Sequence, residues 1–269
     1  LKNAQHSYKL ILDIGNSLTK YHLITNNNFT LYSLSALKER LLGLEQIDIY
    51  VLSTVPEQVS SSVAELTSAL AGIIKINNIF KNNIDNKVLE GSYLGLGPDR
   101  ITKLSGALTL YHNYNVILFD FGTATTMSLG CKASSAGSMG IFKGGFIASG
   151  LKTSIKALNQ NCSALDDFSE LDLAAVISEI EVKPVEQRFF STREQIIYGA
   201  YQAHLGLISR WFEQACEIFK NDNEKLIKLA TGGEAKIFAS GLFDEYIESS
   251  VLLDRFFGEY VNRKNSNTN

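Results

Sequence analysis

Asp13-Ile14-Gly15-Asn16-Ser17-Leu18-Thr19 and Asp120-Phe121-Gly122-Thr123-Ala124-Thr125-Thr126 decide how the chain folds. The two stretches align without a gap, and four of the seven positions carry the same or a chemically similar side chain. Each closes an apolar run, Tyr8 to Leu12 in the first case and Tyr114 to Phe119 in the second. A glycine after a strand-ending acid lets the backbone turn sharply and leaves amide hydrogens directed at an anion. Hydroxyls at Ser17, Thr19, Thr123, Thr125 and Thr126 add donors suited to phosphate oxygens. Asp13 and Asp120 would repel a bare phosphate; they fit if a cation lies between, or if they hold waters around magnesium. The structural alternative for each aspartate is a strand-end carboxylate that caps nearby amides. Two such turns, with a third at Gly232-Gly233, suggest an internal duplication and a nucleotide clamped between two half-sheets. There is no GxxxxGK[ST] loop and no strand-linked GxGxxG. Gly95-Leu96-Gly97-Pro98-Asp99 resembles the latter superficially, without a convincing strand before it.

Outward from these turns, strands and helices alternate. Lys20 to Thr25, the polar Asn26-Asn27-Asn28 and Phe29 to Tyr32 predict a hairpin. Ile47 to Ser53 predicts a strand stopped by Pro56, and Val59, Val63, Leu66 and Leu70 recur at helical spacing up to Gly72. Beyond the second turn come Gly144-Gly145-Phe146-Ile147-Ala148-Ser149-Gly150 and a long helix from Arg193 to Phe219. Ile196, Ala200, Ala203, Leu207, Trp211 and Ala215 form its stripe, which Ile208, Phe212 and Phe219 broaden. Gly199 and Gly206 each cost about 1 kcal/mol inside a helix, which implies close approach of another helix, from the same chain or a second copy. Leu226 to Thr231 predicts a late strand leading into Gly232-Gly233. The alternation favours an α/β fold, divided into halves at 8–113 and 114–261, with 262–269 as a frayed, flexible tail.

Composition excludes several classes. The chain has 269 residues, 45% hydrophobic and 20% charged, enough for the core of one large or two ordinary domains and too apolar for disorder. Its 25 basic and 28 acidic residues leave a net charge of -3 with no basic block, which weighs against nucleic acid as a partner. Cys131, Cys162 and Cys216 lie far apart without C-x-x-C spacing, against a disulfide framework or structural zinc and for a reducing compartment. Buried apolar positions are their default expectation. No apolar run approaches the roughly 20 residues that cross a bilayer, so no membrane partner is expected and the protein should be soluble and cytoplasmic.

Gly97-Pro98-Asp99-Arg100, between Tyr93-Leu94-Gly95-Leu96 and a helix predicted over Ile101 to His112, is the other dense cluster. Asp99 and Arg100 read either as an N-cap with a surface ion pair, or as functional groups. In the second reading a carboxylate accepts a proton from an attacking hydroxyl while a guanidinium holds an anionic substrate. Adjacent side chains cannot both reach one atom, so the roles divide.

Taken together, these pieces resemble the type III pantothenate kinases, within the actin-like, hexokinase-like ATPase superfamily. The resemblance runs from the first strand to the Gly-Gly turn near Ala230. Its D-x-G-N-[TS] loop is matched by Asp13-Ile14-Gly15-Asn16-Ser17, and its S-V-x-P-like segment by Ser53-Thr54-Val55-Pro56. G-x-D-R is met by Gly97-Pro98-Asp99-Arg100 and D-x-G-T-A-x-T by Asp120 to Thr126. G-G-x-I-x-P-G corresponds to Gly144 to Gly150, a threonine before a helix with a downstream glycine to Thr192 and Gly199, and T-G-G to Thr231-Gly232-Gly233. Ser149 departs from the family's usual proline, Pro98 removes an amide beside the acid, and 152–188 fits only loosely.

The resemblance implies an α/β fold of duplicated actin/ribonuclease-H-like domains, mixed sheets flanked by helices, with the nucleotide in the interdomain cleft. It implies that Asp13, Ile14, Gly15, Asn16, Ser17, Leu18, Thr19 and Lys20 lie at the phosphates of ATP, which carries Mg2+, and that Thr123 also contacts ATP. Asp120 would ligate a monovalent cation, K+ or NH4+, and Asp99 would be the general base. Tyr93, Gly97, Pro98, Asp99 and Arg100 would contact pantothenate. Thr192 would reach the pantothenate pocket of the partner subunit, making a homodimer with a composite site. The implied reaction converts ATP and pantothenate to ADP and 4′-phosphopantothenate, the entry step to coenzyme A. Two alternatives stand beside it: a kinase for another small alcohol, or a phosphatase, on the same clamp, and a non-catalytic ATP-binding regulator.

Overall fold

Leu10, Ile11 and Leu12 are apolar at consecutive positions rather than alternate ones, the pattern of a strand covered on both faces. They lie at the centre of β1 (Tyr8–Ile14), each at 0% exposure. The computed structural model that shows this describes residues 8–15, 18–25, 28–31, 33–81, 84, 86–135, 137–162, 164–238 and 241–266. After β1 come β2 (Thr19–Ile24), β3 (Asn28–Leu31), α1 (Leu34–Leu41), β4 (Gln46–Ser53), α2 (Val59–Leu70) and β5 (Lys75–Lys81). A two-residue strand β6 (Leu89–Glu90) precedes α3 (Pro98–Leu110). Then follow β7 (Tyr114–Phe121), β8 (Ala124–Cys131), β9 (Gly140–Ser149), α4 (Leu151–Asn161), α5 (Leu173–Val182) and α6 (Thr192–Phe219). The chain closes with β10 (Lys225–Thr231), α7 (Ala235–Phe238), β11 (Glu245–Tyr246) and α8 (Ser249–Ser266).

The duplication is written in the strand order. The first sheet runs β3-β2-β1-β4-β5, and the second contains β9-β8-β7-β10-β11, which is the same order one repeat later. In both, the first strand pairs antiparallel with the second and parallel with the fourth, and the fourth pairs parallel with the fifth. This mixed α/β arrangement of two sheets with helices is the duplicated architecture that the sequence implied. Each sheet has its own core. Leu10, Leu12, Val51, Leu66 and Leu70 lie in one, and Ile117, Phe119, Phe121, Ile208 and Phe238 lie in the other.

Two compact units result, and their borders differ from those expected. The first comprises 1–110, 133–141 and 249–269; the second comprises 111–132 and 142–248. Helix α8 therefore packs on α3 within the first unit, not with the half that precedes it in sequence. The reason is close fit: a Cβ on Gly106 would stand 2.0 Å from the backbone oxygen of Leu252, so the two helices meet backbone to backbone. Lys9 Nζ also pairs with Asp254 Oδ1 at 2.8 Å. Of the expected tail, 262–266 continue α8, and Arg263 donates to Glu259 and to the Ser138 carbonyl.

Three further expectations change. The buried face of α6 carries Ile197, His204, Ile208, Ala215 and Phe219, while Ala203 is exposed and Ile196, Ala200, Leu207 and Trp211 sit half-buried at its margin. His204 lies in the core because carbonyl oxygens of Ala200 and Ser149 face its two ring nitrogens at 2.9 and 3.0 Å. Cβ atoms on Gly199 or Gly206 would meet nothing within 4 Å, so among the described residues no other helix approaches them closely. None of the cysteines is buried: Cys131 is half-buried, and Cys162 and Cys216 are exposed.

Candidate active site

The first acid-and-glycine turn is held by both neighbours of β1. Asp13 pairs with Lys20 of β2 in register, Gly15 N donates to the Leu18 carbonyl at 3.2 Å, and Thr54 N donates to the Ile14 carbonyl at 3.0 Å. The Ser53-Thr54-Val55-Pro56 segment thus closes the turn from the end of β4. Asn16 and Ser17 lie outside the described residues; Ile14 is buried and Leu18 is 46% exposed.

Asp13 is 7% exposed and faces His22, whose Nε2 stands 3.6 Å from Asp13 Oδ2. The two come together because Ile11 is opposite His22, which puts Asp13 diagonally across the pair on the same sheet face. Burial alone would raise the Asp13 carboxyl, but contact with His22 and the charges of Lys103 and Lys20 outweigh it and hold the group below its usual range. Burial pushes His22 down more than Asp13 lifts it, so the imidazole is neutral near pH 7. His22 Nδ1 lies 3.0 Å from Thr30 Oγ1. Beside an acceptor-only carboxylate the tautomer with its proton on Nε2 is favoured, which leaves Nδ1 to accept from the Thr30 hydroxyl; at 3.6 Å the Nε2 contact with Asp13 is electrostatic and longer than a hydrogen bond. Sequence reading missed both partners of Asp13. The available signals were one histidine inside the apolar run Tyr21-His22-Leu23-Ile24 and a lysine four residues after Asp99.

The second cluster of this unit begins α3. Backbone N–H groups of Arg100 and Ile101 both donate to the Gly97 carbonyl at 3.1 Å, so Gly97 opens the helix and Pro98 is its first residue. That position has no intrahelical N–H partner to lose, and proline's fixed φ suits it. Asp99 is therefore a first-turn acid and not the N-cap of the alternative reading. A Cβ on Gly97 would stand 2.5 Å from Asp99 Oδ1, so glycine makes the room that the carboxylate occupies. Asp99 is half-buried, Arg100 is 7% exposed and Tyr93 is 52% exposed.

In the second unit the equivalent turn is one residue shorter. Asp120 pairs with Thr126, and Gly122 N donates to the Ala124 carbonyl at 3.1 Å. The gapless match of the two stretches therefore breaks after the glycine. Glu234 N donates to the Phe121 carbonyl at 3.1 Å, the counterpart of Thr54 on Ile14. The Gly-Gly turn after β10 thus repeats the role of the Ser-Thr-Val-Pro segment after β4, a correspondence that the two sequences hide. Two glycines bring backbone against this turn. A Cβ on Gly150 would lie 1.9 Å from the Gly122 oxygen, and one on Gly232 would lie 2.3 Å from the Phe121 oxygen and 2.5 Å from Asp120 Oδ1.

Gly150 N and Thr153 Oγ1 both donate to the Thr123 carbonyl, at 2.9 and 2.7 Å. Gly144 to Ser149 form the second part of β9 and Gly150 caps α4, and the carbonyl of Ser149 faces His204 Nε2 at 3.0 Å although proline is absent there. Glu234 Oε2 accepts from Leu151 N at 3.1 Å at the start of α4; burial raises its carboxyl, against the lowering pull of the Leu151 and Lys152 amides. Asp120 is half-buried and Thr123 exposed. Thr192 is the exposed first residue of α6, behind the N-cap Ser191, whose Oγ accepts from Glu194 N at 3.2 Å.

Among the described residues no group of three or more His, Cys, Asp or Glu side chains is placed to hold a metal, and no helix is long and apolar enough to cross a membrane. The bare Gly232 Cα lets the Asp120 carboxylate lie beside the Phe121 carbonyl oxygen and amide; oxygen donors of this kind are the ones a monovalent cation takes.

Comparison with known proteins agrees with this geometry. A family model for type III pantothenate kinases matches residues 9–214. A type III pantothenate kinase of Elusimicrobium minutum is 33% identical over 161 residues, 59% of this chain and 55% of that protein, so the aligned part spans about half of that relative. A type III pantothenate kinase 1 of Francisella tularensis is 26% identical over 229 residues, 85% of this chain and 82% of the relative. Among solved structures, a Campylobacter jejuni protein assigned to the Baf family of transcriptional activators is similar in fold. It superposes with a TM-score of 0.54 at 18% identity, over 96% of this chain and 99% of that one.

Proposed function

The chain belongs to the type III pantothenate kinase family, and on that premise we propose that it transfers the γ-phosphoryl group of ATP to the primary hydroxyl of pantothenate. The observation that carries the reading is the recurrence of the acid-and-glycine turn at the end of β1 and of β7, the first strand of each repeated sheet. Phosphoryl transfer asks mainly for positioning and charge neutralisation. The amides around Gly15 and the side chains of Thr19 and Lys20 receive phosphate oxygens, and the turn at Gly122 with Thr123 offers the same kind of groups from the other unit. Asp13, kept ionised by its neighbours, would face the magnesium-bearing end of the nucleotide. Asp120 would hold K+ or NH4+, which would supply positive charge to offset that of the phosphates.

Asp99 takes the proton from the pantothenate hydroxyl as that oxygen approaches phosphorus in line. Arg100, next on the helix and turned away by about 100°, holds the carboxylate end. Tyr93 and the backbone of Gly97 and Pro98 line the acceptor's path. The test is pantothenate-dependent ADP release with and without K+ or NH4+. Release that needs pantothenate and a monovalent cation is expected; equal release with a hexose or no acceptor would assign the clamp to another alcohol or to water. ATP binding without any release would leave a regulator.

The proposal includes a homodimer. Thr192 and Gly199 stand exposed on α6, and a helix that exposes glycines at a loss of about 1 kcal/mol each needs a compensating neighbour. Sedimentation at micromolar protein should show a dimer, and Thr192→Ala should raise the KM for pantothenate. A monomer with full activity would remove the shared site.

A further inference from the structure

Gly150 opens α4 and has no side chain with which to cap it. A Cβ there would stand 1.9 Å from the Gly122 oxygen and 3.0 Å from the Thr123 oxygen, so the residue must pack bare on the second turn. As the N-cap of α4 it therefore makes no side-chain bond to the first-turn amides, the bond that serine, threonine, aspartate or asparagine would make. Glu234 makes it instead, from 83 residues along the chain. Its Oε2 accepts from Leu151 N at 3.1 Å, and the Lys152 amide adds to the pull on the same carboxylate. The helix dipole favours an acid at this end.

The backbone of Glu234 meets the turn from another side. Its N–H donates to the Phe121 carbonyl at 3.1 Å, two residues after Gly232, which closes on Phe121 and Asp120. Two backbone segments, the start of α4 and the end of β10, thus grip the second turn, and one residue joins them. Beyond the joint, Gly150 N and Thr153 Oγ1 both donate to the Thr123 carbonyl. The first turn is held more simply: Thr54 directs its N–H and its hydroxyl to the same Ile14 carbonyl, at 3.0 and 3.3 Å.

We propose that Glu234 is a positioning residue for phosphoryl transfer, bracing the start of α4 against the end of β10 and so fixing Thr123 toward ATP. That role rests on the reading of the second turn as one that offers donors to ATP.

Calorimetric titration of ATP, steady-state kinetics and thermal melting on the full chain test this. Glu234→Ala should weaken ATP binding by about fivefold or more, the scale of one lost helix cap. The KM for ATP should rise with it, while the KM for pantothenate moves less than roughly threefold. Glu234→Gln keeps an oxygen for the Leu151 amide and should retain most of the affinity. Thr153→Val removes another hold on the Thr123 carbonyl, leaves Glu234 in place, and should move ATP binding in the same direction. In a Thr123→Ala background, Glu234→Ala should cost little further affinity, because the group that it positions is gone.

A lower melting temperature with unmoved ATP binding would make Glu234 a cap and nothing more, and would overturn the proposal. So would an unmoved Thr153→Val beside a weakened Glu234→Ala, a glutamine variant as weak as the alanine one, or losses that add in the double variant. Should Glu234→Ala not fold, Glu234→Asp, one methylene short of the Leu151 amide, is read in its place. Thr123→Ala with wild-type ATP affinity would overturn the reading of the second turn and this inference with it; a weakened Thr123→Ala beside an unmoved Glu234→Ala would overturn the inference alone.

Discussion

Asp99→Asn is expected to lower turnover by about 100-fold or more, the usual scale for a positioned general base, while both KM values stay within a few-fold. Asparagine keeps the shape of the side chain but loses its charge and its ability to take a proton. The surroundings are built to tolerate that exchange. Pro98 sets the first residue of α3, the Gly97 carbonyl accepts from the next two amides, and Gly97 leaves the space into which the side chain folds. The lost carboxylate also forfeits its favourable interaction with the helix dipole, about 0.3–1 kcal/mol, too little to unfold the chain. Steady-state kinetics decide the matter: turnover close to wild type would take Asp99 out of the mechanism, and a loss confined to KM would make it a binding group.

Gly232→Ala should act on stability and on activity together. The residue sits at φ +98, where an L side chain is strained, and its Cβ would lie 2.3 Å from the Phe121 oxygen and 2.7 Å from the Phe121 nitrogen. These are backbone atoms of β7 in the core and cannot swing aside. Strain and overpacking together should cost about 3 kcal/mol or more, a fall in melting temperature of roughly 6–12 °C for a chain of this size. What relief exists comes from moving Asp120, whose Oδ1 lies 2.5 Å from the new atom, so the monovalent-cation response should fall as well. Gly233→Ala is the control, because a Cβ there meets nothing within 4 Å. Similar melting curves for the two variants would show that the end of β10 yields more easily than its packing implies.

Much of the fold could be read before any coordinates, because local chemistry and tertiary position agree there. Val59 to Leu70 forms a helix between those limits, and the strands around Leu10, Ile49, Ile117 and Leu229 lie within a residue or two of expectation. Apolar runs bounded by an acid, a glycine or a proline leave the chain few choices. Structure and expectation part where an interaction between distant residues decides the outcome. The buried face of α6 lies one position from the apolar stripe over much of its length because a histidine is buried on it, facing a carbonyl 55 residues away. The placement of α8 depends on Gly106, which inside a helix looks like a blemish and is instead the point of closest approach.

The candidate site divides along the same line. Its acids were legible because turn chemistry is local: Asp13, Asp99 and Asp120 each sit within two residues of a glycine. What surrounds them was not, since His22 arrives across a strand pair, Lys103 from a helix far along the chain, and Glu234 from the turn after β10, distant in sequence from β7 beside which it lies. Charge partners that converge from different elements leave no spacing in a sequence.

The lodging of α8 against α3 has a consequence for biosynthesis. The chain passes between the units at 110/111, 132/133, 141/142 and 248/249, so the unit that holds β1 is completed only when α8 has been made. Until α8 clears the exit tunnel, the flank of α3 around Gly106 lacks its packing partner, and the nascent polypeptide is exposed to chaperone capture or proteolysis. The second unit, from which only the short 133–141 excursion departs, is free to consolidate beforehand and wait.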